Sequence, residues 1–374
     1  MKPLPFTSAA TSSGDAGRIP LLSWIAVAMA TVFLLTAFSE PSSALDAWSK
    51  DMADSGFSGA VLVARGGEVV LHAGYGMADR EQERPFTADT AFTTGSITKQ
   101  FTAAAILRLE EQGKLSVDDA ISRFFDGVPE DKQGITLHHL LTHTSGLIGN
   151  LGGDYERLTR DALLDRALDS TLQWPPGTRY DYSNLGYSLL GAVIELVSGQ
   201  SYERFIHEQL FVPAGMERTG YRIPGWTPGE VAVGYRGDER WGTPLEHPWA
   251  EDGPWWNLRA NGGVLSTLGD LHRWHRALDE DTVLTETSRR KLFTQHVPED
   301  EAGSSHYGYG WALFTTVRDT RLAAHDGSNG YFYADFRRYM DEDVLILYVT
   351  NDAGAGLRQS HGTLVEAVFA GPLR

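Results

Sequence analysis

The stretch TTGSITKQFTAAAILRLEEQG, Thr93 to Gly113, sets a serine where an amphipathic helix begins and a lysine three residues later. Ile97, Phe101, Ala104, Ala105 and Leu109 recur at helical spacing, and Gly113 supplies the stop. Residues three apart share a helix face, so the Lys99 amine reaches the Ser96 hydroxyl. A helix start favours developing negative charge. A buried lysine gives up its proton readily and can then accept one from the serine. The competing reading is that Thr94 or Ser96 only caps the helix. The four-residue pattern does not decide between the two, because Ser288 to Lys291 repeats it. There Arg289 and Arg290 crowd the motif, and TETSRRKLF reads as an exposed, solvated helix face.

The chain around this stretch has 374 residues, 42% hydrophobic and 22% charged, enough for a sizeable core and unlike a disordered chain. The formal net charge of -17 repels nucleic-acid phosphates, so no nucleic-acid partner is expected. With no cysteine, there are no disulfides, thiol nucleophiles or Cys-based zinc sites. Covalent chemistry falls to Ser, Thr, Lys or a carboxylate. Near the N-terminus, Lys2 and Arg18 precede the apolar run Leu21–Phe38, and Ser42 and Ala44 offer the small residues of a cleavage site. Residues 1–44 thus read as an export signal or membrane anchor, and 45–374 as one domain placed outside the cytoplasm. Membrane contact is expected only through that N-terminal segment.

Strand patterns lie at both ends of this domain. FSGAVLVARGGEVVLHAGYG (Phe57–Gly76) reads as a hairpin turning at Gly66-Gly67. Near the C-terminus, GYGWALFTTVRD, TRLAAH, GYFYADFRR and DVLILYVTND are further strands, with a last helix over 359–369. From Ser116 to Glu280 the chain reads as mainly helical, with LHHLLTHTSGL, GYSLLGAVIELVSGQ and SYERFIHEQLFVPAG as helices. The expected fold is α/β of the α+β type: one antiparallel sheet built from both chain ends, flanked by helices, with a mainly helical insertion. Pro-, Gly- and Trp-rich loops around Trp174 and Trp255-Trp256 are candidate cleft walls, or equally loop anchors.

Two further motifs carry chemistry. Asp181-Tyr182-Ser183-Asn184 follows a Pro-Pro-Gly loop and opens a buried helix. A phenol beside a lysine ammonium ionises more easily, which makes Tyr182 a candidate base. Asn184 offers an amide donor and acceptor, or serves as the helix N-cap. In His325-Asp326-Gly327 the glycine leaves room for a substrate backbone along a strand edge, and His325 supplies a donor or positive charge. His72-Ala73-Gly74 and His306-Tyr307-Gly308 share the pattern without that setting. His139 and His143 are four apart, but the His-Glu-x-x-His of a zinc peptidase is absent, and no metal is expected. Thr94 also breaks the Gly-x-Ser-x-Gly elbow of α/β-hydrolases.

SxxK, YxN and HxG in this order resemble the penicillin-recognising serine hydrolases, in the branch of class C β-lactamases, D,D-carboxypeptidases, D-aminopeptidases and esterases. LLTHTSGL (Leu140–Leu147), LFVPAGMERTGY (Leu210–Tyr221), NGGVLSTLGDLHRW (Asn261–Trp274) and YGYGW (Tyr307–Trp311) extend the resemblance over nearly the whole domain. It implies the β-lactamase/transpeptidase-like fold and an acyl-enzyme on Ser96. Lys99 and Tyr182 become the proton-transfer pair, with either as the base. Asn184, His325, Gly327 and Ser328 become substrate-binding, the Ser96 and Ser328 N–H groups forming the oxyanion hole. No cofactor is implied, and the substrate is a small molecule or peptide, cell-wall peptide among them. Class C β-lactamases usually carry Lys-Thr-Gly where this chain has His-Asp-Gly, which turns the expectation from a β-lactamase towards a peptidase or esterase. A silent member binding peptidoglycan or a partner protein is the alternative of another class. Loss of the serine, lysine or tyrosine would mark it, and all three are present.

Overall fold

Eight antiparallel strands form the main sheet of the computed structural model, which describes residues 43–227, 229–354 and 357–370. In chain order they are β1 (Gly59–Arg65), β2 (Glu68–Tyr75), β3 (Val297–Pro298), β4 (Ser305–Tyr307), β5 (Ala312–Thr315), β6 (Arg321–Ser328), β7 (Tyr333–Tyr339) and β8 (Val344–Thr350). The order across the sheet is β3-β4-β5-β6-β7-β8-β1-β2, so β3 to β8 make a continuous meander. The N-terminal hairpin joins it along β8, with Gly59 opposite Thr350 and Arg65 opposite Val344. Gly66 and Gly67 turn that hairpin at φ +58° and +77°, values that favour glycine and suit a two-residue turn.

The central strands are buried on both faces, which explains their unbroken apolar sequence. Ala60, Leu62, Leu345, Leu347 and Val349 point into the larger core. Val61, Val63, Val344, Ile346 and Tyr348 point the other way, to a smaller core completed by Leu45, Trp48, Leu364 and Val368 of the terminal helices Ser43–Asp54 and Leu357–Phe369. In the larger core lies the helix Thr98–Glu111, whose Phe101, Ala103 to Leu107 and Leu109 are fully buried. Phe101 meets Phe211 and Trp274 edge-on, at centroid distances of 5.0 and 5.1 Å.

The helical insertion is less helical than its sequence suggests. Asn184–Ser198 is a full helix, ended by Gly199 in the left-handed conformation. LHHLLTHTSGL, by contrast, yields only Leu137–Leu141, because His143 takes φ +57° and turns the chain. Two short ribbons, Gly234–Arg236 with Glu239–Gly242 and Trp249–Ala250 with Gly253–Pro254, also interrupt the insertion. The export segment expected over 1–44 lies outside the described residues apart from Ser43 and Ala44.

Candidate active site

Ser96 lies on a short 3-10 turn, Gly95–Ile97, that feeds directly into the Thr98–Glu111 helix. Neither of its possible capping residues caps by a side chain. Thr94 Oγ1 instead donates to Val264 O at 2.9 Å, and Ser96 lines the cleft. β6 ends against this turn. A Cβ on Gly327 would fall 2.1 Å from Thr94 O and 2.6 Å from Ser96 N. A Cβ on Gly95, at φ +52°, would fall 2.8 Å from Gly327 C and Ser328 N. Two backbones in contact therefore set the Ser328 N–H beside the serine, and only glycine permits the approach.

Lys99 is fully buried, with Nζ 3.0 Å from Ser96 Oγ, 2.7 Å from Asn184 Oδ1 and 2.7 Å from Asn261 O. Burial holds its pKa well below the usual lysine range, against the opposing pull of Asp154 and Asp326. The two amide oxygens can only accept, so a neutral amine gives them its two hydrogens. Its lone pair is then left for the Ser96 hydroxyl. Lys99 Nζ also lies 4.8 Å from the centroid of the Tyr182 ring.

Tyr182 is hydrogen-bonded to Ser96, but burial raises its pKa, the opposite of what a tyrosinate base requires. Its ring lies 4.2 Å from that of His143, tilted by 34°. The Ser183 N–H donates to His143 Nδ1 at 3.0 Å, and Ser183 Oγ donates to Ile148 O at 2.8 Å. The His-Thr-Ser-Gly-Leu loop thus holds the Tyr-Ser-Asn segment in place. Ser183, not Asn184, is the helix N-cap, accepting from the Gly186 N–H at 3.1 Å. Asn184 is thereby free to accept from Lys99 and to donate to Asn150 Oδ1 at 2.9 Å.

His325 does not occupy the position of a cleft cation. It is 7% exposed, and its pKa is pushed down to about 3, first by burial and then by Lys99. Its Nδ1 lies 2.6 Å from Asp326 O, which can only accept, so Nδ1 carries the proton. Nε2 then accepts from the Tyr307 hydroxyl at 3.0 Å. Of the donor or positive charge expected here, the charge gives way to a neutral, doubly bonded ring that braces the end of β6 against Tyr307.

The residues lining the cleft include Ser96, Asn184, Asn261, Ser328, Asp154 and Tyr155. Trp249 lines it, whereas Trp255 and Trp256 do not. The second SxxK is structural: Ser288 donates its N–H to Thr285 Oγ1, and Lys291 pairs with Glu110 at 2.7 Å. His138 is bonded to the Tyr309 hydroxyl at 2.8 Å, and His143 to Ser183, so these histidines have structural partners. The sequence reading missed Asn261, although it opens the NGG stretch noted for its resemblance. It also missed Asp154, which no motif marks.

A sequence model of the family described as Beta-lactamase matches residues 46–368. Penicillin-binding protein 4* of Bacillus subtilis is 31% identical over 310 residues, covering 79% of this chain and 68% of that protein. A D-aminopeptidase of Gluconobacter oxydans is 31% identical over 264 residues, covering 68% of this chain and 48% of that one. The chain therefore spans about half to two thirds of these relatives' lengths. The crystal structure of a penicillin-binding protein from Bacillus halodurans superposes with a TM-score of 0.74 at 29% identity, covering 86% of this chain and 99% of that one. With this fold and this extent of match, the chain belongs to the beta-lactamase family of serine hydrolases.

Proposed function

We propose that the chain is an exported hydrolase that cleaves an amide or ester bond of a small molecule or peptide through an acyl-enzyme on Ser96, as a peptidase or esterase and not as a dedicated β-lactamase. The observation that carries this reading is the Lys99 environment, two pure acceptors and one serine hydroxyl around a buried amine. Ser96 Oγ attacks the substrate carbonyl while its proton passes to Lys99 Nζ. The Ser96 and Ser328 N–H groups receive the developing oxyanion. The bond to the leaving amine or alcohol breaks as that group takes the proton, with the protonated Tyr182 hydroxyl as the relay. Water then attacks the acyl ester by the reverse proton path, releasing the acid and restoring Ser96. Gly327 leaves the strand edge open for the substrate backbone, and Asn184 orients Lys99.

The cleft walls present no arginine, lysine or histidine side chain among the described residues, so no side-chain cation there pairs with the carboxylate of a β-lactam. Export rests on the apolar run Leu21–Phe38 behind Lys2 and Arg18. Cell-wall peptide is then a substrate within reach. The test assays p-nitrophenyl esters, alanine-containing peptides and nitrocefin side by side, with Ser96→Ala as control. Ester or peptide turnover that disappears in the variant supports the reading. Turnover that survives in Ser96→Ala sinks it.

A further inference from the structure

One charged side chain in the cleft has no place in the proton-transfer scheme. Asp154 lines the same space as Ser96 and Asn184 and makes no hydrogen bond or ion pair with any described residue. It is partly buried, and burial raises its pKa. A carboxylate half-removed from water without a partner is costly unless something else meets it. Most of the chain's acids are either solvated or paired, as Asp252 is with Arg259 at 2.6 Å and Asp341 with Arg321 at 2.6 Å. Asp154 instead lines the cleft that holds Ser96.

The surroundings have the chemistry of a cation site. With Lys99 neutral beneath the floor, Asp154 is the only ionisable acid or base among the side chains lining the cleft, tyrosine aside. Two aromatic side chains, Tyr155 and Trp249, line the same cleft. Tyr155 is fixed by stacking on His247, 4.5 Å between centroids, and by a hydrogen bond with Asn329, another lining residue. Aromatic faces beside a carboxylate attract an ammonium group, whereas a substrate carboxylate meets repulsion and finds no compensating cation.

We propose that Asp154 is a specificity-determining residue that binds an ammonium group of the substrate, so that the preferred substrates are amine-bearing amides or esters, not peptides presenting a C-terminal carboxylate. This inference rests on the serine-hydrolase reading of the cleft and narrows it to an aminopeptidase-like substrate class. Asp154 touches the substrate's charge and takes no part in the bond-making step.

The test measures binding to the Ser96→Ala protein, in which no turnover interferes. Alanine amide, N-acetylalanine amide and N-acetylalanine, in both hands, present a cation, a neutral group and an anion on one skeleton. In one hand at least, alanine amide is expected to bind about tenfold or more tightly than the N-acetyl amide, and the anion weakest. Adding Asp154→Asn is expected to reduce that advantage to about twofold or less. The variant replaces a group with no described protein partner, so circular dichroism should be unaltered and Tm should hold or rise. Equal binding of cation and anion, an advantage that survives Asp154→Asn, or no binding of any of the three overturns the proposal. Hydrolysis of p-nitrophenyl butyrate by the unaltered chain, lost in Ser96→Ala, checks the underlying reading separately. Turnover without an ammonium preference removes only the Asp154 assignment.

Discussion

Lys99 Nζ lies 3.0 Å from Ser96 Oγ, and its two other polar neighbours, Asn184 Oδ1 and Asn261 O, can only accept hydrogen bonds. A neutral amine satisfies this set completely and turns its lone pair to the serine. Replacing Lys99 by Met keeps the volume of the stem and removes only the base. kcat/KM for an ester substrate should fall by about 10²–10⁴-fold. The Tm should fall modestly, because Asn184 Oδ1 and Asn261 O lose the donor they share. Unaltered turnover in Lys99→Met would assign the base elsewhere.

The pH profile follows from the same residue. Burial lowers the Lys99 pKa, and catalysis requires the neutral amine, so kcat/KM rises with pH as Lys99 loses its proton. The acid limb should therefore lie below the ordinary lysine value of about 10.4. Asp154 favours the ammonium through space, so Asp154→Asn should move the limb to still lower pH. A shift to higher pH would contradict the electrostatic assignment. Tyr182, whose pKa is raised, should contribute no tyrosinate limb in this range.

Gly327 leaves no room for a side chain. Gly327→Ala places a methyl group 2.1 Å from Thr94 O and must push β6 away from Ser96. A stability loss of about 1–3 kcal/mol is expected, together with a large fall in kcat as Ser328 N–H leaves the oxyanion position. Gly134→Ala, where a Cβ meets nothing within 4 Å, is the control and should change neither. Thermal melts and ester kinetics on the two variants decide this.

Buried neutral histidines make the fold acid-sensitive. His325 titrates at about 3 in the folded chain against 6.5 for the free side chain. As pH falls below 6.5 the unfolded chain takes up the proton first, so the stability due to the neutral ring is present above 6.5. It is lost progressively as the pH drops towards 3. The slope is about 1.4 kcal/mol per pH unit for such a group. His275, pushed down to about 2 by burial, adds to it. His325→Gln should flatten the fall of stability between pH 6 and pH 4 (roughly the centre of this window) in denaturant titrations. An unchanged slope would mean that His325 is not held neutral.

Much of this was legible in the sequence because local chemistry and long-range pattern agreed. The apolar runs at both ends announced a sheet shared by the termini, and Gly66-Gly67 announced its first turn. SxxK, YxN and HxG marked Ser96, Lys99, Tyr182, Asn184 and Gly327, and the fold brings these together around Ser96. Other features depend on tertiary contact and leave no local trace. His325 reads as a cation by position, but Tyr307 and the Asp326 carbonyl occupy both its nitrogens. His143 reads as part of a helix, yet a positive φ turns it under Tyr182. Asn261 acts through its backbone carbonyl, which any residue type supplies. Asp154 belongs to an ordinary Gly-Gly-Asp loop, and only the cleft gives it meaning.

The central claim is that Ser96, and no other serine, becomes acylated. Incubation with a fluorophosphonate probe followed by intact-mass and peptide mass spectrometry tests it directly. The account predicts a single adduct on the peptide carrying Ser96, formed more slowly in Lys99→Met and absent in Ser96→Ala, in step with the loss of ester hydrolysis. An adduct on Ser288 or another serine, or hydrolysis retained by Ser96→Ala, would contradict it.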